Sequence, residues 1–278
     1  MNAPSCIETA SKLPRVLFVT WNVNSLRVRL PRVLELLEAH QPDVVALQET
    51  KCTVDNFPVT ELDQAGYDVV HHSGGQWAGV ALLVRRPLAP DLPLLSLPGD
   101  TVPTEARWCE ATVSGTRFVS TYVPNGRTLD SPEFPRKLEF MEAAAKRAAA
   151  IRAENLGLVI GGDMNVAPAD ADVYDPAAYV GSTHVSEPER RALRAIERDG
   201  SLVDAFRYLH PDERQFTWWD YRAGNFHKNL GMRIDLALVG SEMADGLMAC
   251  GIDREFRKGF KPSDHAPLLV WMGLPSSP

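Results

Sequence analysis

The apolar runs of this chain stop at acids and amides. Val16 to Trp21 leads into Asn22-Val23-Asn24, Val44 to Leu47 into Gln48-Glu49, and Leu156 to Ile160 into Gly161-Gly162-Asp163-Met164-Asn165. Pro267 to Trp271 is entered through Asp264-His265, and the run from Met232 to Val239 carries Asp235 among apolar neighbours. Short runs of branched and aromatic residues bounded by turn formers read as buried strands. A layered α/β sheet presents its chemistry where such strands end. A buried carboxylate such as Asp235 is costly unless it is paired or hydrogen-bonded. Any fold that satisfies this pattern must bring several polar strand ends together.

Between the strands, Leu30, Val33, Leu34 and Leu37 recur at helical spacing, which predicts a helix over roughly 29–40, closed before Pro42. With the flanking runs this makes a β-α-β unit. Further strands are expected at Tyr67 to His71, Gly79 to Val84, Trp108 to Val113 and Thr116 to Val123, joined by links short enough for antiparallel hairpins. Pro124 to Pro132 is a turn-rich loop, and Phe134 to Ala153 carries the strongest helical stripe. Glu187 to Arg198 reads as a helix capped by Ser186, and Asp204 to Tyr208 as a short one. Strands are expected to begin at Phe216 and to cover Ile252 to Phe256, while Ala167 to Val185 reads as loop. Gly161-Gly162 is expected to give the chain a sharp exit that exposes Asp163 and Asn165.

Composition narrows the class. A chain of 278 residues, 45% hydrophobic and 23% charged, suits one large α/β domain, expected over 15–274 behind a loose extension at 1–14. Cys6, Cys52, Cys109 and Cys250 are far apart, so no zinc knuckle or disulfide framework is indicated, and a reducing cytoplasm is expected. No segment approaches the roughly 20 apolar residues of a membrane span, and the start lacks a secretory signal. A net charge of -7 argues against coating nucleic acid by bulk electrostatics, yet leaves room for a local basic surface and for acids gathered around a metal. Carboxylate and amide oxygens with one or two histidines make a hard-oxygen site, suited to Mg²⁺ or Mn²⁺ and to phosphate chemistry.

The motifs Trp21-Asn22-Val23-Asn24, Leu47-Gln48-Glu49-Thr50-Lys51, Tyr122-Val123-Pro124-Asn125-Gly126, Gly162-Asp163-Met164-Asn165, Arg233-Ile234-Asp235 and Ser263-Asp264-His265-Ala266-Pro267 occur in one order along the chain. They resemble those of the exonuclease III family of abasic-site endonucleases, within the endonuclease/exonuclease/phosphatase superfamily. The resemblance spans 16–272. It implies a four-layer α/β sandwich, two mixed sheets face to face with helices outside, and a site at one end. It also implies that Glu49 binds the metal with Asp264 and Asn24, oriented by Asn22. Asp163 would activate the attacking water, positioned by Asn165. His265, held by Asp235, would serve the phosphate, and Tyr122 and Asn125 would contact it. Ser25 stands where many members have glycine, with no loss of chemistry expected.

The substrate implied is duplex DNA bearing abasic or 3′-blocked lesions, cut 5′ to the lesion to leave a 3′-hydroxyl during base excision repair, by an enzyme expected to be a monomer. Arg127, Arg136, Lys137, Arg222 and Lys228 are candidate phosphate contacts. Trp218, Met232 and Ile234 correspond to positions that wall the pocket for an extruded sugar. The other histidines, His184 among them, read as structural, and Asp235 could instead pair with Arg233. Two other classes stay open: a superfamily relative acting on another phosphoester, such as a general nuclease or a phosphoinositide phosphatase, and a catalytically silent DNA-binding protein on the same fold. The balance between endonuclease and 3′-5′ exonuclease action also stays open.

Overall fold

The computed structural model describes residues 15–274. The extension expected at 1–14 lies outside the described residues. In chain order the elements are β1 (Arg15–Asn22), α1 (Leu26–His40), β2 (Val44–Gln48), α2 (Val59–Gln64), β3 (Tyr67–His72), β4 (Val80–Arg85), β5 (Asp91–Leu95), β6 (Trp108–Val113), β7 (Thr116–Tyr122) and α3 (Glu133–Ala153). They continue with β8 (Gly157–Asp163), α4 (Glu187–Gly200), β9 (Leu202–Asp204), α5 (Ala205–Leu209), β10 (Asp235–Gly240), β11 (Leu247–Ile252) and β12 (Leu268–Gly273).

The strands form two six-stranded mixed sheets, ordered β11-β12-β1-β2-β4-β3 and β5-β6-β7-β8-β10-β9. Each sheet has one parallel pair, β1 with β2 and β7 with β8, and each pair is bridged by a long helix, α1 or α3. That follows from chain geometry: parallel neighbours need a crossover long enough to return the chain, whereas hairpins serve the antiparallel pairs. The inner faces pack on one another through Phe18 and Phe118, whose ring centroids are 5.7 Å apart, with Val44, Val159 and Val270 around them. Helix α1 buries Val33, Leu36 and Leu37 against the outer face of the first sheet. Helices α3 and α4 bury Phe140, Met141, Ala148, Leu193 and Ile196 against the outer face of the second. The result is the four-layer sandwich that the motifs imply.

Several boundaries differ from the sequence reading, each for a physical reason. Gly161 and Gly162 are strand residues. A Cβ on Gly161 would stand 2.3 Å from the Phe18 ring, and one on Gly162 2.0 Å from the carbonyl oxygen of Thr121. Gly161 permits close approach across the sandwich and Gly162 close approach of the neighbouring strand β7, rather than a turn, and Asp163 and Asn165 after them are buried. Phe216 to Trp219 starts no strand; Trp218 instead makes single bridges to both Met232 and His265. The apolar run at Met232 becomes regular only at Asp235, because Arg233 N–H is drawn to the carbonyl of Asp172. The strand expected at Ile252 to Phe256 ends at Ile252, and 3₁₀ turns cover Arg254–Arg257. Ser25, in the glycine-like position, has a φ of 94°.

Candidate active site

Strand register assembles the site before any side chain is considered. In the second sheet, Asp163 at the end of β8 pairs with Tyr122 of parallel β7 on one side and with Asp235 of antiparallel β10 on the other. Residues directly opposite one another in neighbouring strands project to the same face, so these three form one row. In the first sheet Asn22 pairs with Gln48, which puts Glu49 one residue beyond. The amide of Asn22 then joins the two halves, donating to Glu49 Oε1 at 2.8 Å and to Asp163 Oδ2 at 2.9 Å.

His265 closes the cluster. Its backbone carbonyl accepts from Trp21 Nε1 at 3.0 Å, and its Nδ1 lies 2.8 Å from Asp235 Oδ2. Nε2 is left facing Asp163 Oδ2 at 3.8 Å. Burial alone would push the imidazole toward neutrality, but Asp235, Asp163 and Asp264 outweigh it and raise its pKa to about 10. The ring is therefore a buried cation with its Nδ1 proton committed to Asp235. Arg233, which could have claimed Asp235, instead donates to Asp172 at 2.8 Å and Asp204 at 2.6 Å. Asp163 is raised to about 7, first by burial and then by Asp235 and Glu49, against the pull of His265. Its Oδ1 accepts from the Asn165 backbone N–H at 2.9 Å.

Glu49, Asp163 and His265 have potential ligand atoms within 4.8 Å of one another. A charged imidazole does not ligate a cation, which leaves the carboxylate oxygens as donors. Oxygen donors of this kind fit a hard divalent ion. The geometry differs in detail from the ligand set the resemblance implies. Asn22 touches Glu49 and Asp163. Asn24 Nδ2 donates to Asp264 Oδ1 at 2.9 Å, while Trp218 Nε1 donates to Asp264 Oδ2 at 3.1 Å. Lys51 Nζ bridges Glu49 Oε2 at 2.8 Å and Asn24 Oδ1 at 2.6 Å. Histidine, Asn24 and Trp218 together hold the Asp264 carboxyl below its ordinary range despite its burial.

A cavity of about 320 Å³ opens over these groups. Glu49, Tyr122, Asn125, Asp163, Asn165, Trp218, Arg222, Met232, Ile234, Asp264 and His265 all line it, and Asp235, Asn22 and Asn24 stand behind as supports. Tyr122 has its hydroxyl ionisation pushed well up, by burial and then by Glu49 and Asp163. Met232 and Ile234 pack with Ala167 and Val173 under Trp218, giving the pocket an apolar wall. Arg222 reaches the rim but is spent on Asp220 at 2.6 Å. Arg127 is not in this cavity: it lines a neighbouring cleft with Arg107 and Trp77 and pairs with Glu133 at 3.2 Å. Arg136 pairs with Glu105 at 2.6 Å in the same cleft. Lys137 is buried and cannot meet a phosphate, which corrects the surface role expected for it.

Tyr179, His184 and Asp220 also line the cavity, although nothing in the sequence marked them. His184, read as structural, sits at a positive φ of 75°, and its Nε2 is 3.1 Å from Asn165 Oδ1. Asn165 Nδ2 is fixed on the Val123 carbonyl at 2.9 Å, so its oxygen faces His184. Burial and the nearby Lys137 charge lower the His184 pKa to about 4 and keep it neutral. Asn125 Nδ2 completes the group, 3.2 Å from both Asn165 Oδ1 and His184 Nε2. A lone histidine in a loop carries no sequence signal for this placement.

Comparison with known proteins bears on the family and the fold. The model of the "Endonuclease/Exonuclease/phosphatase family" matches residues 19–265. Exodeoxyribonuclease III of Haemophilus influenzae is 32% identical over 263 residues, covering 90% of this chain and 97% of that protein. Among solved structures, a 3′ phosphatase from Neisseria bound to a product DNA hairpin superposes with a TM-score of 0.89 at 38% identity, covering 93% of this chain and 100% of the other. An AP endonuclease from Archaeoglobus fulgidus gives a TM-score of 0.88 at 34% identity, with the same coverage of 93% and 100%.

Proposed function

The chain belongs to the endonuclease/exonuclease/phosphatase family, on its exodeoxyribonuclease III branch, and we propose that it is a DNA-repair phosphodiesterase cutting duplex DNA 5′ to abasic sites. The product strand would end in a 3′-hydroxyl, and blocked 3′ ends would be cleared by the same chemistry. The observation that carries this reading is the Asp163–His265–Asp235 arrangement, in which a carboxyl poised near neutrality faces a cationic imidazole whose other nitrogen is locked by a buried acid.

Each group then has a task its environment suits. Asp163, with a pKa of about 7, takes the proton of the attacking water, and the Asn165 N–H and Asn22 amide hold it in line. His265 presents its Nε2 proton to a non-bridging phosphate oxygen, where developing charge is met by a fixed cation. Tyr122 and Asn125 bind the same phosphate. Glu49, with Asp264 and Asn24 beside it, would hold Mg²⁺ or Mn²⁺, which supplies neutralisation of charge on the phosphate and the departing oxygen. Trp218, Met232 and Ile234 form an apolar wall that accepts a baseless sugar and rejects a full nucleotide by size. The silent-scaffold alternative is disfavoured because a binding module has no use for an acid raised to about 7 beside a trapped cation.

A second reading, in which trimming of 3′ ends is the main activity, is favoured by the likeness to the Neisseria 3′ phosphatase. One assay separates the readings. With Mg²⁺ present, cleavage is followed on a duplex with an internal abasic analogue, a nicked duplex ending in a 3′-phosphate, an undamaged duplex and a soluble phosphoinositide. Preference for the internal lesion is expected. Equal cutting of undamaged DNA refutes lesion specificity, turnover of the 3′-phosphate alone selects the second reading, and turnover of the headgroup alone removes DNA as the substrate.

A further inference from the structure

Beneath the cavity lies a charged pair that none of the chemistry above uses. Lys137 of α3 and Glu189 in the first turn of α4 are ion-paired with both side chains 0% exposed. The three protons of the ammonium have three acceptors: the backbone carbonyls of Asn125 at 3.2 Å and Asn165 at 2.7 Å, and Glu189 Oε1. Glu189 Oε1 also accepts from Thr183 Oγ1 at 2.7 Å and the His184 N–H at 2.9 Å, and its other oxygen accepts from the Ser186 N–H at 3.2 Å. Gly126 gives the lysine stem its room, since a Cβ there would stand 3.0 Å from Lys137 Cδ.

The backbone atoms gripped from below belong to Asn125, Asn165 and His184, the residues whose side chains meet one another at 3.1 to 3.2 Å on the cavity side. Other bonds tie these three loops in pairs, among them Ala167 N–H to the His184 carbonyl at 2.8 Å and Asn165 Nδ2 to the Val123 carbonyl at 2.9 Å, but the ion pair is the buried anchor that reaches all three. A buried ion pair contributes little net stability compared with apolar residues of similar size, so folding alone does not call for one here. Glu189 opposes the Lys137 charge at His184, so what the pair chiefly lends the site is geometry. We propose that Lys137 and Glu189 are positioning residues, a tripod that sets the Asn125–Asn165–His184 group against the substrate phosphate and so aligns Asp163. The kinetic part of this inference rests on the phosphodiesterase reading above.

The test is the paired replacement Lys137→Met with Glu189→Leu, which removes both charges at once and leaves no buried ion uncompensated. Thr183→Val serves as a second variant, loosening the same carboxylate and the Asn125 carbonyl without touching a charge. Three quantities are read: the melting temperature, the side-chain amide NMR signals of Asn125 and Asn165 in the free protein, and kcat against the Kd for lesion DNA. Expected are a lowered melting temperature with the protein still folded under assay conditions, broadened or shifted amide signals, and a Kd within about threefold. The expected fall in kcat is at least tenfold for the double variant and at least threefold for Thr183→Val. Unaltered amide signals in either folded variant overturn the proposal, as does full kcat. If the double variant does not fold, Thr183→Val decides alone. If the wild-type protein fails to cut the DNA, the phosphodiesterase reading falls while the amide signals still judge the tripod.

Discussion

Replacing Asp235 with asparagine isolates the electrostatic core of the site. The carboxylate sits 2.8 Å from His265 Nδ1 and, with Asp163 and Asp264, lifts the imidazole pKa to about 10 against its burial. Asparagine keeps the shape and removes the charge. If the pKa falls only to the ordinary value of about 6.5, about a tenth of the rings remain charged at pH 7.5 and about a hundredth at pH 8.5. The wild-type ring stays charged through that range. The ratio of wild-type to Asp235→Asn turnover is therefore expected to widen about tenfold per pH unit above 7, on top of a constant loss from ring misorientation. Asp163, with a pKa of about 7, is still titrating at the lower end of this window, so the ratio is read from about pH 8 upward, where the wild-type carboxyl is ionised. Imidazole NMR titration of His265 checks the cause directly, and single-turnover cleavage of lesion DNA checks the consequence. A variant ring still titrating near 10, or a turnover ratio that does not change with pH, refutes the account.

Other substitutions probe separate parts of the same structure. Asp163→Asn is expected to lower turnover by about two orders of magnitude or more while DNA binding survives, as measured by kcat beside a binding isotherm. In the wild-type enzyme, kcat/KM is expected to fall as pH drops below about 7, because the raised Asp163 carboxyl then keeps its proton; the limb should move to lower pH as Mg²⁺ is increased, since an adjacent cation favours the carboxylate. Arg233→Met leaves Asp204 without its ion-pair partner and Asp172 with Arg207 alone, and urea denaturation should show a loss of about 3 kcal/mol. Gly162→Ala forces a methyl to within 2.0 Å of the Thr121 carbonyl, and a loss of more than about 2 kcal/mol is expected by the same measurement.

The strand ends were legible because they break a local rule. Asp235 inside an apolar run and Asp163 after a core strand each predict a partner, and the fold supplies one: His265 for the first, Asn22 and the Asn165 N–H for the second. The long helices were legible from their periodicity, and the sandwich came from the resemblance. What could not be read depends on groups distant in sequence. Gly161-Gly162 looks like a turn until Phe18 and Thr121 are placed opposite it. Lys137 looks like a surface charge because lysines seldom lose all solvent, and only the loops around Asn125, Asn165 and His184 bury it. The strand β5 is masked by Pro93 and by exposure of most of its residues, and β9 is too short for any period to show. Asp264 reads as a bare ligand, yet Asn24 and Trp218 each donate to one of its oxygens.

The Asn22 amide holds Glu49 of one sheet's margin and Asp163 of the other's within a single pair of hydrogen bonds. The reacting groups thus straddle the boundary between two slabs rather than resting on either. Sliding one slab past the other by the width of a hydrogen bond would disconnect Glu49, the proposed metal ligand, from Asp163, the proposed base. Both slabs could stay intact while that happened. Heat or pressure that loosens the Phe18–Phe118 contact should accordingly silence this enzyme before its strands melt, which makes catalysis a more sensitive gauge of the sandwich than its secondary structure.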